Sequence, residues 1–469
     1  MSILECNAEI EALLVQPEYG EEVKERIFQP GLEFPYNLTC LSSYLEREGI
    51  DNEIFDWRIY KRPRDLFVDL LKRLKPRIVG ITSVTSGINN AEKIARIIKE
   101  ADKNIITLIG GSHASALPEE TLINCQDFDY LVHGEGEVVF TNLVKAARIN
   151  CKEIKGIKGV ALRENGEIKV NTREELIANM DELPFPARHK IEIDRYAPNP
   201  GTRNYMRLPS TGFSVGRGCP YNCQFCYKGV WGKSIRFRSY DHVISEIKQC
   251  IERYGIHDFR FYDDVLTFPK WNVKGFCKKI IENDITISWS CWSRVRDVNY
   301  ETLVLMKKAG CYHIKYGIEF GTDKALRLSK KGAKLEHSRE AIKMTKEVGI
   351  ECKGSFIFGI PGEIIEDCKK TIEFALELSP DFATFYSYDN IPGSQFYEQE
   401  KKGLLKGQVL PQEITERLVS EAYKRFYLRL TFILQRIKNV FRNPKREIRA
   451  NLEGMRMMFI FYLKKGENK

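Results

Sequence analysis

Gly218-Cys219-Pro220-Tyr221-Asn222-Cys223-Gln224-Phe225-Cys226 decides how this chain is read. Three cysteines spaced Cys-x3-Cys-x2-Cys follow the apolar run Phe213–Val215 inside a glycine-rich loop. Three thiolates from one short loop can hold three irons of a [4Fe-4S] cluster and leave the fourth iron without a protein ligand, open for chemistry. A structural zinc site would close its coordination with a fourth nearby Cys or His. None follows before His242, and the next cysteine is Cys250.

Outward from that loop, apolar runs alternate with helical patterns. Phe213–Val215, Phe259–Tyr262, Ile287–Cys291, Tyr312–Tyr316, Gly354–Phe358 and Ala383–Tyr386 read as strands. His242–Tyr254, Tyr300–Lys308, His337–Val348 and Ile365–Leu378 read as helices between them. Six βα units are too few for a closed eight-fold barrel but fit an open partial one, with its chemistry at the strand C-terminal ends. The cysteine loop follows the first of these strands. Charged or turn-forming residues follow the others: Asp263-Asp264, then Arg294, then Glu319, then Gly359-Ile360-Pro361-Gly362-Glu363. A guanidinium such as Arg294 offers a bidentate fork to a carboxylate, and a carboxylate such as Glu319 accepts from hydroxyls.

The first ~150 residues carry a second parallel α/β pattern. Strands are expected at Glu11–Val15, Glu53–Phe55, Ile78–Thr82, Ile105–Ile109 and Tyr130–Val132, with helices at Leu38–Glu48, Asp65–Leu74 and Asn90–Ala101. Such a doubly wound sheet holds ligands in a crevice at its strand C-terminal ends. Ser83-Val84-Thr85 and Gly110-Gly111-Ser112-His113 fall there. Residues 151–205 differ: a hairpin turning at Asn165-Gly166 and the run Leu183-Pro184-Phe185-Pro186 read as a connector.

Thirteen scattered cysteines in 469 residues, with no disulfide framework among them, and a site for an oxygen-labile cluster, imply a reducing, cytoplasmic setting. The N-terminus lacks the basic-then-apolar pattern of a signal peptide, and no apolar run reaches spanning length. From Glu421 onward thirteen Lys and Arg face four Glu, which accounts for the whole net charge of +9. Basic residues flanking the apolar segments of this tail, among them Met457–Leu463, fit either of two roles. The tail lies on an anionic membrane surface, at the inner face, or grips an anionic substrate; or it packs on the barrel with a solvated charged face. No nucleic-acid partner is expected.

The cysteine loop, with Phe225 before its third cysteine, resembles that of the radical SAM superfamily. The resemblance implies that Cys219, Cys223 and Cys226 ligate the cluster, that the open iron binds S-adenosylmethionine (SAM), and that Gly216 and Gly218 allow close backbone approach. It also implies SAM contacts from Phe225, from Asp263 and Asp264 to the methionine amino group, from Arg294 and Glu319, and from the adenine-side turn holding Gly359 and Pro361. Ser83, Thr85, Gly110, Gly111 and His113, with Leu117-Pro-Glu-Glu, His133-Gly134-Glu135 and the later Leu183–Arg188, resemble the cobalamin-binding radical SAM proteins. There small residues such as Gly134 admit the cofactor's nucleotide tail, with Glu135 beside it. One departure stands out: the Asp-x-His-x-x-Gly loop that many cobalamin domains carry after the first strand is absent from Gln16 onward. Cobalt is therefore expected to lack a histidine from that loop, and His113 to act as a hydrogen-bonding residue.

The resemblance thus implies an α/β chain with a doubly wound, Rossmann-like cobalamin domain at 8–145 and a connector at 146–205. A partial (β/α)6 TIM-type radical SAM core follows at 206–400, and a basic helical C-terminal region at 401–469. The implied activity is methylation of an unactivated carbon of an unknown substrate, with an external electron donor of flavodoxin or ferredoxin type. The alternatives are an oxidative cyclase of the anaerobic magnesium-porphyrin type, a methylthiotransferase with a second cluster on Cys6, Cys40 and Cys125, and, from another class, a cobalamin-binding sensor.

Overall fold

The computed structural model describes residue 3 and residues 9–18, 31–149, 151–197 and 205–442, and within the terminal stretch 444, 447–448 and 450–456. Cys6, most of the loop after the first strand and the apolar run 457–463 lie outside the described residues. The chain forms two compact units, residues 1–197 with 228–232, and residues 198–227 with 233–469.

The first unit is built on a sheet of β1 (Ala12–Gln16), β2 (Asn52–Asp56), β3 (Ile78–Thr82), β4 (Ile106–Gly110), β5 (Tyr130–Val132), β6 (Val160–Glu164) and β7 (Glu167–Val170). Their spatial order is β2-β1-β3-β4-β5-β6-β7, parallel from β2 to β5. Alternate residues of β1 explain why these strands read as unbroken apolar runs. Leu13 and Val15 enter the core on one face with Phe67, Leu70 and Ile94, while Ala12 and Leu14 enter the core on the other with Leu38, Leu45 and Val139. The chain winds outward from β1 to β2 and returns to β3, so the ligand crevice of such a sheet falls at the C-terminal ends of β1 and β3.

The stretch read as a connector differs from that expectation. Its hairpin turns at Asn165 and Gly166, both at positive φ, as a two-residue turn requires. It then extends the sheet, β6 pairing antiparallel with β5 and β7 with β6.

The second unit contains β8 (Ser210–Phe213), β9 (Gly216–Arg217), β10 (Arg236–Phe237), β11 (Asp258–Phe261), β12 (Ser288–Ser293), β13 (Cys311–Glu319), β14 (Glu351–Phe358) and β15 (Phe382–Ser387). Six of them form one parallel sheet in chain order, β8-β11-β12-β13-β14-β15, whose two ends do not pair. This is the open barrel the six βα units implied. β9 and β10 make a separate antiparallel ribbon that frames the cysteine loop.

Side chains alternate between lumen and helix layer. On the helix side Phe213, Phe259, Phe261, Phe276 and Trp289 pack edge to face, and the Tyr316 hydroxyl meets Thr345 Oγ1 at 2.8 Å. The open edge of β15 is covered by the helix Gln412–Tyr427. The Tyr427 and Tyr423 hydroxyls take the Ala383 and Phe385 N–H groups at 3.1 and 3.2 Å, which blunts an edge that would otherwise invite another strand.

Trp289 is fully buried and donates its indole N–H to Ala309 O at 2.7 Å. Trp289→Ala removes the centre of this aromatic layer and should destabilise the second unit by about 3–5 kcal/mol, read as a lower urea midpoint for that unit's transition.

Candidate functional site

Strand β8 delivers the chain to the cysteine loop, and the loop is fixed before it reaches the first cysteine. Asp263, just past the end of β11, accepts the Gly216 N–H at 2.6 Å and the Val215 N–H at 2.9 Å. Gly218 follows at φ +103°, where an added Cβ would lie 2.3 Å from Ser234 O. Only glycine fits between the two arms of the ribbon there.

The loop itself is held from several strand ends at once. Arg294, beyond β12, is buried; its Nη1 donates to Cys223 Sγ at 3.4 Å, its Nη2 donates to Lys331 O, and its guanidinium lies 3.5 Å from the Tyr221 ring centroid. The Tyr221 hydroxyl in turn donates to Asp297 Oδ1. Gln224 N donates to Ser329 O at 2.9 Å, Gln224 Nε2 to Leu328 O at 2.6 Å, and Gln224 O receives Phe396 N–H at 3.0 Å. Phe225 packs on Phe320 in an apolar cluster with Ile360 and Phe396. Among the three cysteines, Cys223 is buried, Cys219 half-buried and Cys226 exposed.

Glu319 closes β13 at φ +70°, beside a register irregularity that starts at Gly317. A non-glycine residue there carries local strain of about 1–3 kcal/mol. Its Oε1 meets Lys331 Nζ at 2.8 Å in a buried pair, and Lys331 Nζ also lies 5.9 Å from the Phe225 ring centroid. Beyond β14, Gly359 and Gly362 both adopt positive φ. Glu363 Oε2 ties the turn together by accepting the Gly359 and Ile360 N–H groups at 2.9 and 3.0 Å. Burial pushes both Asp263 and Glu363 up to about 7, against the backbone donors that favour their charged forms.

The expected SAM contacts therefore divide. Cys219, Cys223, Cys226, Phe225, Arg294 and Glu319 form one connected neighbourhood. Gly359 and Pro361 belong to the Glu363-braced turn, joined to it through Ile360 in the Phe225 cluster. Asp263 departs from its expected role: its carboxylate is buried and committed to the loop backbone, so it positions the loop, while Asp264 beside it is exposed. Sequence reading missed Lys331, Asp297, Tyr221 and Gln224. Tyr221 and Gln224 lie between the cysteines, which was a usable signal; Lys330-Lys331 reads as an ordinary charge run.

In the first unit, Ser83, Thr85, Gly110, Gly111 and His113 meet at the C-terminal ends of β3 and β4. Gly111, at φ +100°, would place a Cβ 2.5 Å from Ser83 O, and His113 Nδ1 lies 3.2 Å from Thr85 Oγ1. Burial holds the His113 imidazole below its usual range. Gly134 and Glu135 are placed differently from expectation. A Cβ on Gly134 would meet the Arg173 guanidinium at 2.7 Å, and Glu135 Oε2 accepts the Ile177 N–H at 2.8 Å, so both serve the packing of the 171–177 segment.

Two observations test whether the residues present fit the expected groups. Arg294 Nε, buried beside Cys223, has no acceptor, and Glu363 Oε1 has no donor. Of the two, Arg294 Nε lies on the guanidinium that bonds Cys223 and is a donor that a carboxylate-bearing ligand at the loop would satisfy. At the end of β3 in the first unit the side chains are Ser83 and Thr85, facing Gly110 and Gly111 across the β4 turn, so small and polar groups border the strand ends where a doubly wound sheet holds its ligand.

A three-cysteine loop at the mouth of an open parallel barrel, preceded by a doubly wound sheet with small-residue loops, defines a two-cofactor radical enzyme. The radical SAM superfamily model matches residues 213–375 and the B12 binding domain model residues 30–144. An uncharacterized methyltransferase of Pyrococcus horikoshii is 31% identical over 94% of this chain and 97% of its own. The anaerobic magnesium-protoporphyrin IX monomethyl ester cyclase of Rubrivivax gelatinosus is 28% identical over 85% of this chain and 74% of its own. Among solved structures, a radical SAM methyltransferase of Kitasatospora setae shares the fold with a TM-score of 0.68 over 84% of this chain and 76% of that one, at 18% identity. The chain belongs to the radical SAM proteins that carry a B12 binding domain. Its cofactors are those of that family: a [4Fe-4S] cluster, SAM and cobalamin.

Asp263→Ala leaves two buried backbone N–H groups unpaired, at about 1–3 kcal/mol each, and loosens the entry to the cysteine loop. Iron bound per chain after anaerobic reconstitution should fall in the order wild type, Asp263→Asn, Asp263→Ala, since the amide retains one accepting oxygen. Wild-type iron content in Asp263→Ala would remove the loop-holding role.

Proposed function

We propose that the protein is a cobalamin-dependent methyltransferase that acts on an unactivated carbon. The observation that carries this reading is the relative named a methyltransferase, aligned over nearly the full length of both chains, together with the B12 binding domain match. When bound, the cluster supplies the electron that cleaves SAM reductively, and cobalamin supplies the methyl group.

The chain's own residues then have assigned tasks. Cys219, Cys223 and Cys226 would hold the cluster, and Arg294 would keep Cys223 in place through its N–H···S bond while its stacking on Tyr221 fixes the loop between the cysteines. Arg294 Nε is the donor available to a ligand carboxylate, and Asp264, exposed next to the loop-bound Asp263, would face the ammonium. Glu319, held by Lys331, would accept from ribose hydroxyls. The Gly359–Glu363 turn and Phe225 would border the adenine. Ser83, Thr85, Gly110, Gly111 and His113 would line the cobalamin crevice. Orientation of the reacting groups and exclusion of water and oxygen are the protein's contribution to rate. The reducing electron comes from a flavodoxin- or ferredoxin-type donor.

The cyclase relative supports a second reading, oxidative cyclisation without methyl transfer. Isotope labelling separates the two. Reconstituted protein supplied with a low-potential reductant, cobalamin, methyl-deuterated SAM and small-molecule and lipid extracts should release S-adenosylhomocysteine and 5′-deoxyadenosine in comparable amounts. One extract component should gain the labelled methyl. Deoxyadenosine with an unlabelled product would favour the cyclase and overturn the methyltransferase reading. Changing Cys219, Cys223 and Cys226 together to Ala should abolish the iron–sulfur absorbance near ~400 nm and all SAM cleavage.

A further inference from the structure

The helix Leu430–Arg442 has two unlike faces. One face docks on the barrel unit. Phe432 packs edge-on to Tyr427 and Phe382, Arg436 places its guanidinium 4.6 Å from the Phe382 ring centroid, and Gln435 Nε2 donates to Asp381 Oδ1 at 2.6 Å. The other face carries Leu430, Ile433, Leu434, Ile437 and Phe441 at helical spacing. Each is exposed, Leu430 by 68% and Phe441 by 84%. The stripe continues past Pro444, where Ile448, Leu452 and Met455 are exposed by 48–68%. Eight exposed large apolar side chains, five of them on successive turns of Leu430–Arg442, are more than scattered surface residues, and such a group marks an interaction surface.

The charge around the stripe selects its occupant. Residues 429–456 hold eight Lys and Arg against Glu447 and Glu453, and Glu447 is buried against Arg436 at 3.7 Å. Lys438 and Arg456 are exposed next to the stripe. A second copy of the chain would bring two strongly basic tails together, which like-charge repulsion opposes. A surface that is apolar within and anionic at its boundary satisfies both features. Among the described residues no helix is long and apolar enough to cross a membrane, so the geometry is that of a helix lying in the interface plane.

We propose that the exposed face of residues 430–456 docks on an anionic lipid bilayer, with Leu430, Ile433, Leu434, Ile437 and Phe441 entering the acyl boundary and the flanking Lys and Arg meeting lipid phosphates. The docked face is opposite the one that packs on the barrel unit, so attachment leaves that packing in place. This inference stands apart from the methyltransferase reading and is tested without turnover.

Full-length reconstituted protein is floated with vesicles of phosphatidylcholine alone and of phosphatidylcholine with phosphatidylglycerol. Partitioning is expected to be at least tenfold greater on the phosphatidylglycerol vesicles and to fall as salt is raised from 0.05 to about 0.5 M, because the attraction is screened. The triple variant Ile433→Ser, Ile437→Ser, Phe441→Ser should lose at least tenfold in partitioning with unchanged iron content, since its sites face solvent. Lys438→Glu should lose a few-fold. Equal partitioning of wild type and triple variant overturns the proposal, as does binding indifferent to phosphatidylglycerol. Loss of binding on deleting residues 457–469, with the triple variant unaffected, assigns attachment to that segment and also overturns it. A wild-type dimer in sedimentation that the triple variant dissociates, without vesicle binding, assigns the face to a second copy instead.

Discussion

The contact of Asp263 with the Val215 and Gly216 N–H groups is the constraint on which the site depends. A loop that must present three thiolates has few hydrogen bonds of its own to define its path. Here its entry is fixed by a carboxylate from the neighbouring strand and its flank by the β9–β10 ribbon. Its interior is held by Gln224 and Tyr221 reaching to the segments after β12 and β13. The loop is thus positioned by the barrel rather than by its own conformation, the arrangement expected where catalytic precision is built on rigid elements.

Much of the architecture was legible because burial wrote it into the sequence. Ile78–Thr82 and Tyr130–Val132 are bounded as expected because strands with both faces buried read as unbroken apolar runs. The hairpin at 160–170 was legible as a hairpin, since Asn165-Gly166 encodes the turn locally. Its membership of the first sheet was not, because antiparallel addition to β5 is a long-range pairing that no local pattern records. The cysteines of the site were legible from spacing alone. Lys331 and Asp297 were not, because they reach the loop from positions 71 or more residues away from Cys226 in sequence, on segments whose local chemistry is that of surface turns. Asp263 and Asp264 illustrate a finer ambiguity: at the end of a strand, the alternation that tells inside from outside has just stopped.

The relatives agree with this division. Similarity spans both units, whereas the reaction differs between a protein named a methyltransferase and one named a cyclase. The radical SAM match, which covers the cysteine loop, does not by itself choose between the two. What separates them lies in the residues that meet the substrate, and fold-level likeness does not carry that information.

Electrostatics at the barrel mouth follows the same logic of position before stability. Asp263 and Glu363 brace the turns after the first and fifth barrel strands, and burial raises both to about 7. For a carboxyl group raised in the folded state, the folded chain binds more protons than the unfolded one between the unfolded value, about 4, and about 7. Their contribution to stability therefore declines as pH rises through that window and stays at its lowest above it. Above about pH 7 these two carboxylates cost the fold most. They are tolerated because each accepts two backbone N–H groups that would otherwise be buried and unpaired, Val215 and Gly216 for Asp263 and Gly359 and Ile360 for Glu363.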